Sequence, residues 1–380
     1  MAGVATRDGD SGLGPREAAR AARLHYVDPG KPGFTRRKTG TGFAYADADG
    51  RKVSDTGVIE RLRKLAIPPA YTDVWICPDP RGHLQAVGRD TRGRKQYRYH
   101  ADWRAVRDEA KYGKMALFAD KLPALRRQVA KDLALPGLPR AKVLATAVAL
   151  LEKTMMRVGN DEYAKTNKSY GITTLKNRHA TVKGATLVLD FRAKHGVQQH
   201  VEVKDRRLAG IIRKLQDLTG QELFQYVGED GERHDVSSGD VNEYLREVTG
   251  EEITAKDFRT WAATNLAALA LQEFERFDSE AVAKKTMLRV IETVAKTLGN
   301  TPAICRKCYI HPRIFEGYLD GTLADALKGR AEAVLEEGDG LGLSAEEVAV
   351  VAFLGRTLGE VVEQGGRKTG ASAARRARAR

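Results

Sequence analysis

The order of strand and helix patterns divides this sequence into two regions of different character. Up to Asp102 the chain shows short segments of strand composition at 40–45, 71–77 and 84–88, with the turn sequence PDPRG between the last two. Beyond it, long segments with helical periodicity predominate, and strand-like segments are confined to 171–203. We therefore predict an α+β protein, with a small β-rich N-terminal domain and a larger, mainly α-helical domain that contains a small β-sheet or hairpin.

The same patterns set the expected domain limits. A chain of 380 residues is long enough to bury two cores. The β-rich domain is predicted over 21–102 and the helical domain over 103–362. Residues 1–20 and the basic Ala/Arg tail at 363–380 show no sustained periodicity, so we expect both to be disordered.

The charge balance points to a polyanionic partner. The sequence has 64 Lys and Arg against 50 Asp and Glu, a net charge of +14, and nucleic acid is the first candidate. A membrane surface is the second, but no apolar run approaches the ~20 residues that a spanning helix needs. The N-terminus also lacks the apolar core of a signal peptide. We therefore expect a cytoplasmic protein that binds nucleic acid and no membrane.

The three cysteines exclude a disulfide-stabilised secreted fold. Cys305 and Cys308 form a single CxxC pair without a second pair or two histidines to complete a zinc site. A metal site or a redox role at this pair is the less favoured alternative. Walker-type, HExxH and DxDxDG motifs are absent from the sequence, so we predict neither metal nor cofactor.

The segment Thr297–Pro312 contains a tyrosine in a strongly cationic chain. Gly299 and Asn300 are typical of a helix end, and Thr301-Pro302 is typical of the start of a second, short helix that would carry Tyr309. Taken alone, these residues also fit a half-buried helix tyrosine and an ordinary cap.

Three cationic side chains stand at the ends or turns of predicted elements. Arg157 follows an apolar helix at 142–156, and Lys194 lies in the turn RAKHG of a predicted hairpin. Arg259 falls in the second turn of a helix that opens with the capping-box pattern of Thr254 and Asp257, where the helix dipole favours anions. A lysine in a hairpin turn is also commonly just solvated.

The stretch GRDTRGRKQYRYH at 88–100 interleaves cations with glutamine and tyrosine. Arg and Lys suit phosphate contacts, while Gln and Tyr can reach base edges or stack on sugars. A solvated basic loop is the alternative. The residues of this stretch that we predict to bind DNA are Arg94, Lys95, Gln96, Tyr97 and Tyr99.

Together these segments resemble the type IB DNA topoisomerases, specifically the small poxvirus and bacterial enzymes. The matching text is MRVGNDEYAKTNKSYGITTLKNRHATV, FRAKHG, KDFRTWAATN and GNTPAICRKCYIHP, with GRDTRGRKQYRYH upstream. These runs lie between Tyr71 and Pro312. The resemblance implies an enzyme that relaxes positive and negative supercoils without ATP or metal, as a monomeric clamp around duplex DNA.

The resemblance also implies a role for each matching residue. Tyr309 falls on the nucleophile that forms a 3′-phosphotyrosyl link, and Arg157 and Arg259 fall on the arginines that clamp the scissile phosphate. Lys194 falls on the lysine that protonates the departing 5′ oxygen, and Tyr163 on a DNA-contacting tyrosine. Gln96, Tyr97 and Tyr99 match a DNA-reading strand.

One position departs from the poxvirus pattern. Those enzymes have a histidine where this chain has Asn300, which can donate a hydrogen bond to a phosphate oxygen but carries no positive charge. On a straight helix Asn300 and Tyr309 would lie ~13 Å apart, so the chain must bend between them or the tyrosine must move when DNA binds. We expect the protein without DNA to hold Tyr309 away from the arginines.

Two other classes of protein share parts of this pattern. Tyrosine recombinases use the same Arg, Lys, Arg and Tyr chemistry, but usually carry a histidine where this sequence has Lys256, three residues before Arg259. A basic DNA-binding protein with a structural tyrosine is the non-enzymatic alternative.

Overall fold

The computed structural model describes residues 15–40, 42–91, 93–228, 231–274, 277, 279–331 and 342–355, with backbone only at 104–112 and 328–331. The chain forms two compact units, Met1–Lys114 and Met115–Arg380. The predicted domain limits at 21–102 and 103–362 remain a prediction. The predicted tail at 363–380 lies outside the described residues.

The described helices follow the predicted segments closely in most places. Their bounds are α1 Pro15–Ala21, α2 Thr56–Lys64, α3 Ala101–Leu133, α4 Arg140–Thr154, α5 Asp161–Asn167, α6 Arg206–Gln216, α7 Ser238–Thr249, α8 Ala255–Gln272, α9 Glu280–Leu298, α10 Pro302–Cys308, α11 Pro312–Leu319 and α12 Thr322–Ala331. Residues 345–355 are also helical. Within the described part of the chain, no helix is long and apolar enough to cross a membrane.

The strands form three antiparallel sheets. Their bounds are β1 Phe34–Thr39, β2 Gly42–Ala46, β3 Thr72–Ile76, β4 Leu84–Arg89, β5 Lys95–Tyr99, β6 Ala180–Lys183, β7 Thr186–Arg192, β8 Gln198–Lys204, β9 Gln225–Val227 and β10 Arg233–Asp235. The first unit has a five-stranded sheet in the order β2-β1-β3-β4-β5. In the second unit, β6, β7 and β8 form a three-stranded sheet and β9 pairs with β10.

Apolar side chains of the first unit's sheet pack against α2. Leu62 of α2 is buried with Tyr45, Val74, Ile76 and Ala86 of the sheet. Alternate residues of a strand point to opposite faces, so one sheet face supplies this core. The second unit is mainly helical, and the predicted α+β class is confirmed.

Helix α4 lies at the centre of the second unit. Every residue from Lys142 to Leu151 is buried, which explains why this segment is apolar on all sides rather than on one stripe. Helix α8 is also mostly buried, and α9 packs on α8 and α10. The predicted capping box is confirmed, because the Thr254 N–H and hydroxyl both donate to the Asp257 carboxylate at 2.8 and 2.9 Å.

Four sequence interpretations differ from the structure. The disordered N-terminus predicted through residue 20 is wrong from Pro15 onward, because α1 begins there and buries Ala18 and Ala19. The predicted strand at 171–182 is mainly two short 3-10 turns, with strand only from Ala180. The polar composition of 228–239 predicts a loop, but this segment contains β10. The position of Pro312 after Tyr309 predicts the end of a helix, but Pro312 begins α11, because proline is also favoured at the first helical position.

Candidate active site

The start of α8 brings a buried arginine to the ends of two other helices. Arg259 is 3% exposed. Its Nη2 donates to the carbonyl of Leu298, the last residue of α9, at 2.8 Å. Its Nη1 donates to the carbonyl of Met155, which caps α4 in the left-handed conformation at φ 55°. Terminal helix carbonyls lack partners within their own helix, so they are available to hold this guanidinium group.

A second arginine binds the same end of α9. Nη2 of Arg157 donates to the Gly299 carbonyl at 3.3 Å and to Oδ1 of Asn300. Its own carbonyl accepts from the N–H of Ile172 at 2.9 Å. A Cβ at Gly171 would lie 2.5 Å from the Arg157 carbonyl oxygen, so only glycine permits this close approach.

The position of Arg157 differs in one respect from the sequence prediction. We predicted a helix through residue 156 whose last turn leads directly into Arg157. Helix α4 ends at Thr154, and Arg157 lies in the non-helical segment that follows Met155. The left-handed residue turns the chain out of the helix, which is uncommon for a side chain other than glycine and has no clear sequence signal.

Tyr309 lies immediately after α10 and is partly buried. Its N–H donates to the carbonyl of Cys305 at 3.0 Å. Its own carbonyl accepts from the hydroxyl of Thr264 at 3.2 Å. Cζ of Arg259 lies 5.1 Å from the centre of the Tyr309 ring, a cation–π contact. The short helix therefore carries the tyrosine at its C-terminal cap rather than within it.

The site residue that sequence reasoning missed is Thr264. It is fully buried on α8, and its hydroxyl also accepts the N–H of His311 at 3.1 Å. Helix α8 therefore holds both Arg259 and the backbone around Tyr309. The only sequence signal was a hydroxyl residue on an apolar helix face, which does not distinguish this contact from an ordinary buried threonine.

The structure brings Tyr309, Arg259, Arg157 and Asn300 together. The expectation that Tyr309 lies away from the arginines is therefore wrong. The chain leaves α9 at Gly299, which is left-handed at φ 61°, and it bends between Asn300 and Tyr309, because Thr301 is extended and a new helix, α10, starts at Pro302. Of the two ways in which these side chains could meet, the bend is the one that the structure uses.

The cluster is electropositive and contains hydrogen-bond donors without partners. Burial lowers the pKa of Arg157, and the positive charge of Arg259 acts in the same direction, while Tyr309 opposes them. Nε of Arg259 and Nδ2 of Asn300 are buried, and neither has a hydrogen-bond partner in the part of the chain that the structure describes. An unpaired buried donor costs free energy, about 1–3 kcal/mol for a neutral group. A group with negative charge and several acceptor oxygens would relieve both the repulsion and the unpaired donors.

Lys194 is at the exposed tip of the β7–β8 hairpin, as predicted. Its Nζ lies 5.9 Å from the centre of the Tyr163 ring, and Tyr163 is 49% exposed. The hydrogen bonds and the ring contact described above that join the other four predicted catalytic residues do not involve Lys194. The hairpin approaches them close to this tip, because a Cβ at Gly299 would lie 2.7 Å from Nε2 of Gln199, the second residue of β8.

The predicted DNA-binding strand is β5, at the edge of the first unit's sheet. Lys95, Tyr97 and Tyr99 alternate onto one face, where the two tyrosine rings lie 6.1 Å apart. Gln96 is on the opposite face and donates to the Asp90 carboxylate at 3.0 Å. That carboxylate also pairs with Arg94 at 2.7 Å. Arg92 of the same stretch lies outside the described residues.

The two cysteines of the CxxC pair are not joined by a disulfide. Among the side chains that the structure describes, no group of three or more His, Cys, Asp or Glu residues could hold a metal ion. These residues therefore offer no ligand set for a metal.

Comparisons with known proteins identify the family to which this chain belongs. The family model described as the eukaryotic DNA topoisomerase I catalytic core matches residues 100–328. The family model described as the bacterial DNA topoisomerase IB N-terminal domain matches residues 42–90.

Individual relatives extend over most of the chain. It is 32% identical to DNA topoisomerase 1B of Acanthamoeba polyphaga mimivirus over 75% of this chain and 87% of the relative. It is 24% identical to DNA topoisomerase 1B of vaccinia virus strain Copenhagen over 72% of this chain and 86% of the relative. The DNA topoisomerase I of monkeypox virus gives the same identity and coverage. On these matches, the chain belongs to the type IB DNA topoisomerase family and is an isomerase that acts on DNA.

Proposed function

We propose that this enzyme relaxes positively and negatively supercoiled DNA by transient cleavage of one strand, with Tyr309 as the nucleophile. The observation that supports this most directly is the cluster of Tyr309, Arg259, Arg157 and Asn300 around buried, unpartnered donors. A phosphodiester supplies the negative charge and the acceptor oxygens that these donors lack. The cluster therefore suits phosphoryl transfer driven by side-chain charge, without ATP or a metal ion.

In the cleavage step, Oη of Tyr309 attacks the phosphorus atom and the bond to the 5′ oxygen breaks. The phenol proton passes to solvent, and the 3′ end becomes esterified to the tyrosine. Negative charge grows on the non-bridging oxygens, where Arg157, Arg259 and the Asn300 amide stabilise it. Planar guanidinium groups suit these oxygens because they can donate two parallel hydrogen bonds.

The departing 5′ oxygen needs a proton, and we assign this role to Lys194. An alkoxide is a poor leaving group, and general acid catalysis of this kind contributes about 10²–10⁴-fold. The role requires the hairpin tip to carry the Lys194 ammonium group to the 5′ oxygen when DNA is bound. The hairpin is suited to this because Gln199, next to the turn, packs at Gly299 while Lys194 at the tip is exposed.

Religation reverses the same step. The phosphotyrosyl ester retains the energy of the broken bond, so the free 5′ hydroxyl can attack it and release Tyr309 without ATP. Rotation of the cut strand between the two steps changes the linking of the duplex.

The proposal includes the partner and the location. One copy of the chain binds duplex DNA as a clamp, with contacts from Arg94, from the β5 side chains Lys95, Gln96, Tyr97 and Tyr99, and from Tyr163. The net charge of +14 supports such binding. We place the enzyme in the cytoplasm at the nucleoid.

A relaxation assay with EDTA and without ATP tests the proposal. Wild type should relax a plasmid that contains no special site, and denaturation during the reaction should trap protein covalently at a 3′ end. Tyr309→Phe should abolish both results, because it removes the attacking oxygen. Tyr318→Phe is the matched control, since Tyr318 is a buried tyrosine in α11 whose hydroxyl has no partner. Relaxation by folded Tyr309→Phe protein would overturn the proposal.

A further inference from the structure

Two thiols occupy the turn of α10 directly before Tyr309, and the proposed reaction uses neither. Cys305 is fully buried and Cys308 is partly exposed. Residues three apart on a helix face the same side, with Cβ atoms about 5–6 Å apart. The two side chains are therefore neighbours in the last turn of this short helix.

A disulfide between these residues is within reach but requires the turn to tighten. Disulfide-bonded cysteines have Cβ atoms about 3.5–4.5 Å apart, closer than helical neighbours at this spacing. The last helical turn must therefore distort when the bond forms. A disulfide closed in this way is strained, and strained disulfides are readily reduced and often regulatory.

The turn that would distort is the one that positions Tyr309. The carbonyl of Cys305 accepts the N–H of Tyr309 at 3.0 Å and that of Ile310 at 3.2 Å. The Tyr309 carbonyl is held on its other side by the hydroxyl of Thr264, on a different helix. A shift of the Cys305 carbonyl therefore moves the tyrosine backbone relative to α8, which also carries Arg259.

We propose that Cys305 and Cys308 form a reversible redox site, at which an intrahelical disulfide displaces Tyr309 and stops strand cleavage. The loss of cleavage rests on the proposed function, whereas the disulfide and the displacement do not. In a compartment that keeps thiols reduced, such a bond forms transiently under oxidant and is removed afterwards.

Formation of the disulfide requires a two-electron oxidant, and hydrogen peroxide can serve as this oxidant. The Cys308 thiolate attacks one peroxide oxygen, and the O–O bond breaks with release of water to give a sulfenic acid. The Cys305 sulfur then attacks the Cys308 sulfur, a second water leaves and the S–S bond forms. The two thiols lose two electrons and two protons in total, and hydrogen peroxide is reduced to two water molecules.

The order of these steps follows from exposure. Burial raises the pKa of the Cys305 thiol to about 11, so this group is a poor first nucleophile. Cys308 is partly exposed and meets the oxidant first. Cys305 then acts as the resolving thiol, because the oxidised sulfur of Cys308 lies next to it on the same helix face.

The test compares reduced and peroxide-treated full-length protein. Peptide mass spectrometry should show loss of two hydrogen atoms in the peptide that holds Cys305 and Cys308. Formation of the covalent Tyr309–DNA adduct should fall at least tenfold in the oxidised protein, and dithiothreitol should restore it. Acetylation of Tyr309 by N-acetylimidazole, located by mass spectrometry, should increase on oxidation, and this readout needs no catalysis.

Two variants separate this site from general oxidative damage. Cys308→Ser should retain basal cleavage and lose its sensitivity to peroxide. Cys77→Ser should behave as wild type, because Cys77 is a buried thiol in the first unit. Equal inhibition of Cys308→Ser, absence of the disulfide at saturating peroxide, or a disulfide that leaves Tyr309 acetylation unchanged would each overturn the proposal. Failure of the reduced protein to form any adduct would instead overturn the proposed function.

Discussion

Replacement of Asn300 removes both a hydrogen-bond acceptor for Arg157 and a hydrogen-bond donor proposed for the phosphate. Its Oδ1 accepts a hydrogen bond from Arg157, which fixes the orientation of the amide because arginine only donates. Its Nδ2 is then a buried donor that has no hydrogen-bond partner among the described residues. Asn300→Ala therefore deletes a donor proposed for the phosphate and also releases one anchor of Arg157.

The magnitude follows from the deleted donor. Loss of one preorganised donor to a developing oxyanion slows catalysis by about 10²–10³-fold, or about 2.7–4 kcal/mol. Arg157 keeps its bond to the Gly299 carbonyl, so we expect Asn300→Ala near the lower figure, about 10²-fold slower cleavage. Asn300→Asp keeps the acceptor for Arg157 but places a negative charge beside the phosphate, so it should be slower than Asn300→Ala. Asn300→His restores a donor and should recover most of the rate.

Single-turnover cleavage of a duplex, followed as covalent adduct on a denaturing gel, measures these rates. Thr297→Ala is the matched control, because Thr297 is an exposed residue in the last turn of the same helix. It should cleave at the wild-type rate. A change of less than threefold in Asn300→Ala would remove Asn300 from the site, and an Asn300→Asp rate above that of Asn300→Ala would refute the electrostatic argument.

Three further predictions concern Thr264, Arg126 and His200. Thr264→Val leaves the buried His311 N–H unpaired and frees the Tyr309 carbonyl, so it should lower the free energy of unfolding by about 1–3 kcal/mol and slow cleavage by up to about 10²-fold. Arg126→Met leaves the carboxylates of Glu152 and Glu347 without their shared partner and should cost about 3 kcal/mol in urea denaturation. The hydrogen bond between the His200 ring, as donor, and the Asp190 carboxylate, as acceptor, raises the pKa of His200, so its NMR titration midpoint should lie above the ordinary value of about 6.5.

Each of these has a control. Thr264→Ser should recover the cleavage rate, and a Thr264→Val enzyme as fast as wild type would contradict a positioning role. Arg127→Met should be neutral because Arg127 is exposed, and equal losses in both variants would contradict the ionic network. For His200, the protonated form is favoured in the fold, so its support of the hairpin is present at low pH and fades as the pH rises through the raised pKa. Asp190→Asn should lower the midpoint, and an unchanged midpoint would contradict the assigned cause.

The sequence predicted those features that depend on interactions between residues close together in the chain, such as hairpin turns and helix ends. The alternation of strand residues around RAKHG located the tip that holds Lys194, and Gly299 marked the end of α9. The convergence of Tyr309 with Arg259 could not be derived in this way, since it depends on packing between helices that are distant in sequence. The left-handed Met155 was missed for a related reason, because contacts outside its own helix stabilise a conformation that methionine rarely adopts.

The hydrogen bonds from Arg157 and Arg259 to the end of α9 affect the electrostatic potential at the site. Their oxygen partners are main-chain carbonyls and one amide oxygen, and no carboxylate pairs with either guanidinium group among the residues described. A carboxylate would orient these groups equally well but would cancel their charge. Neutral dipoles fix the direction of the two cations and leave their full positive potential for the phosphate.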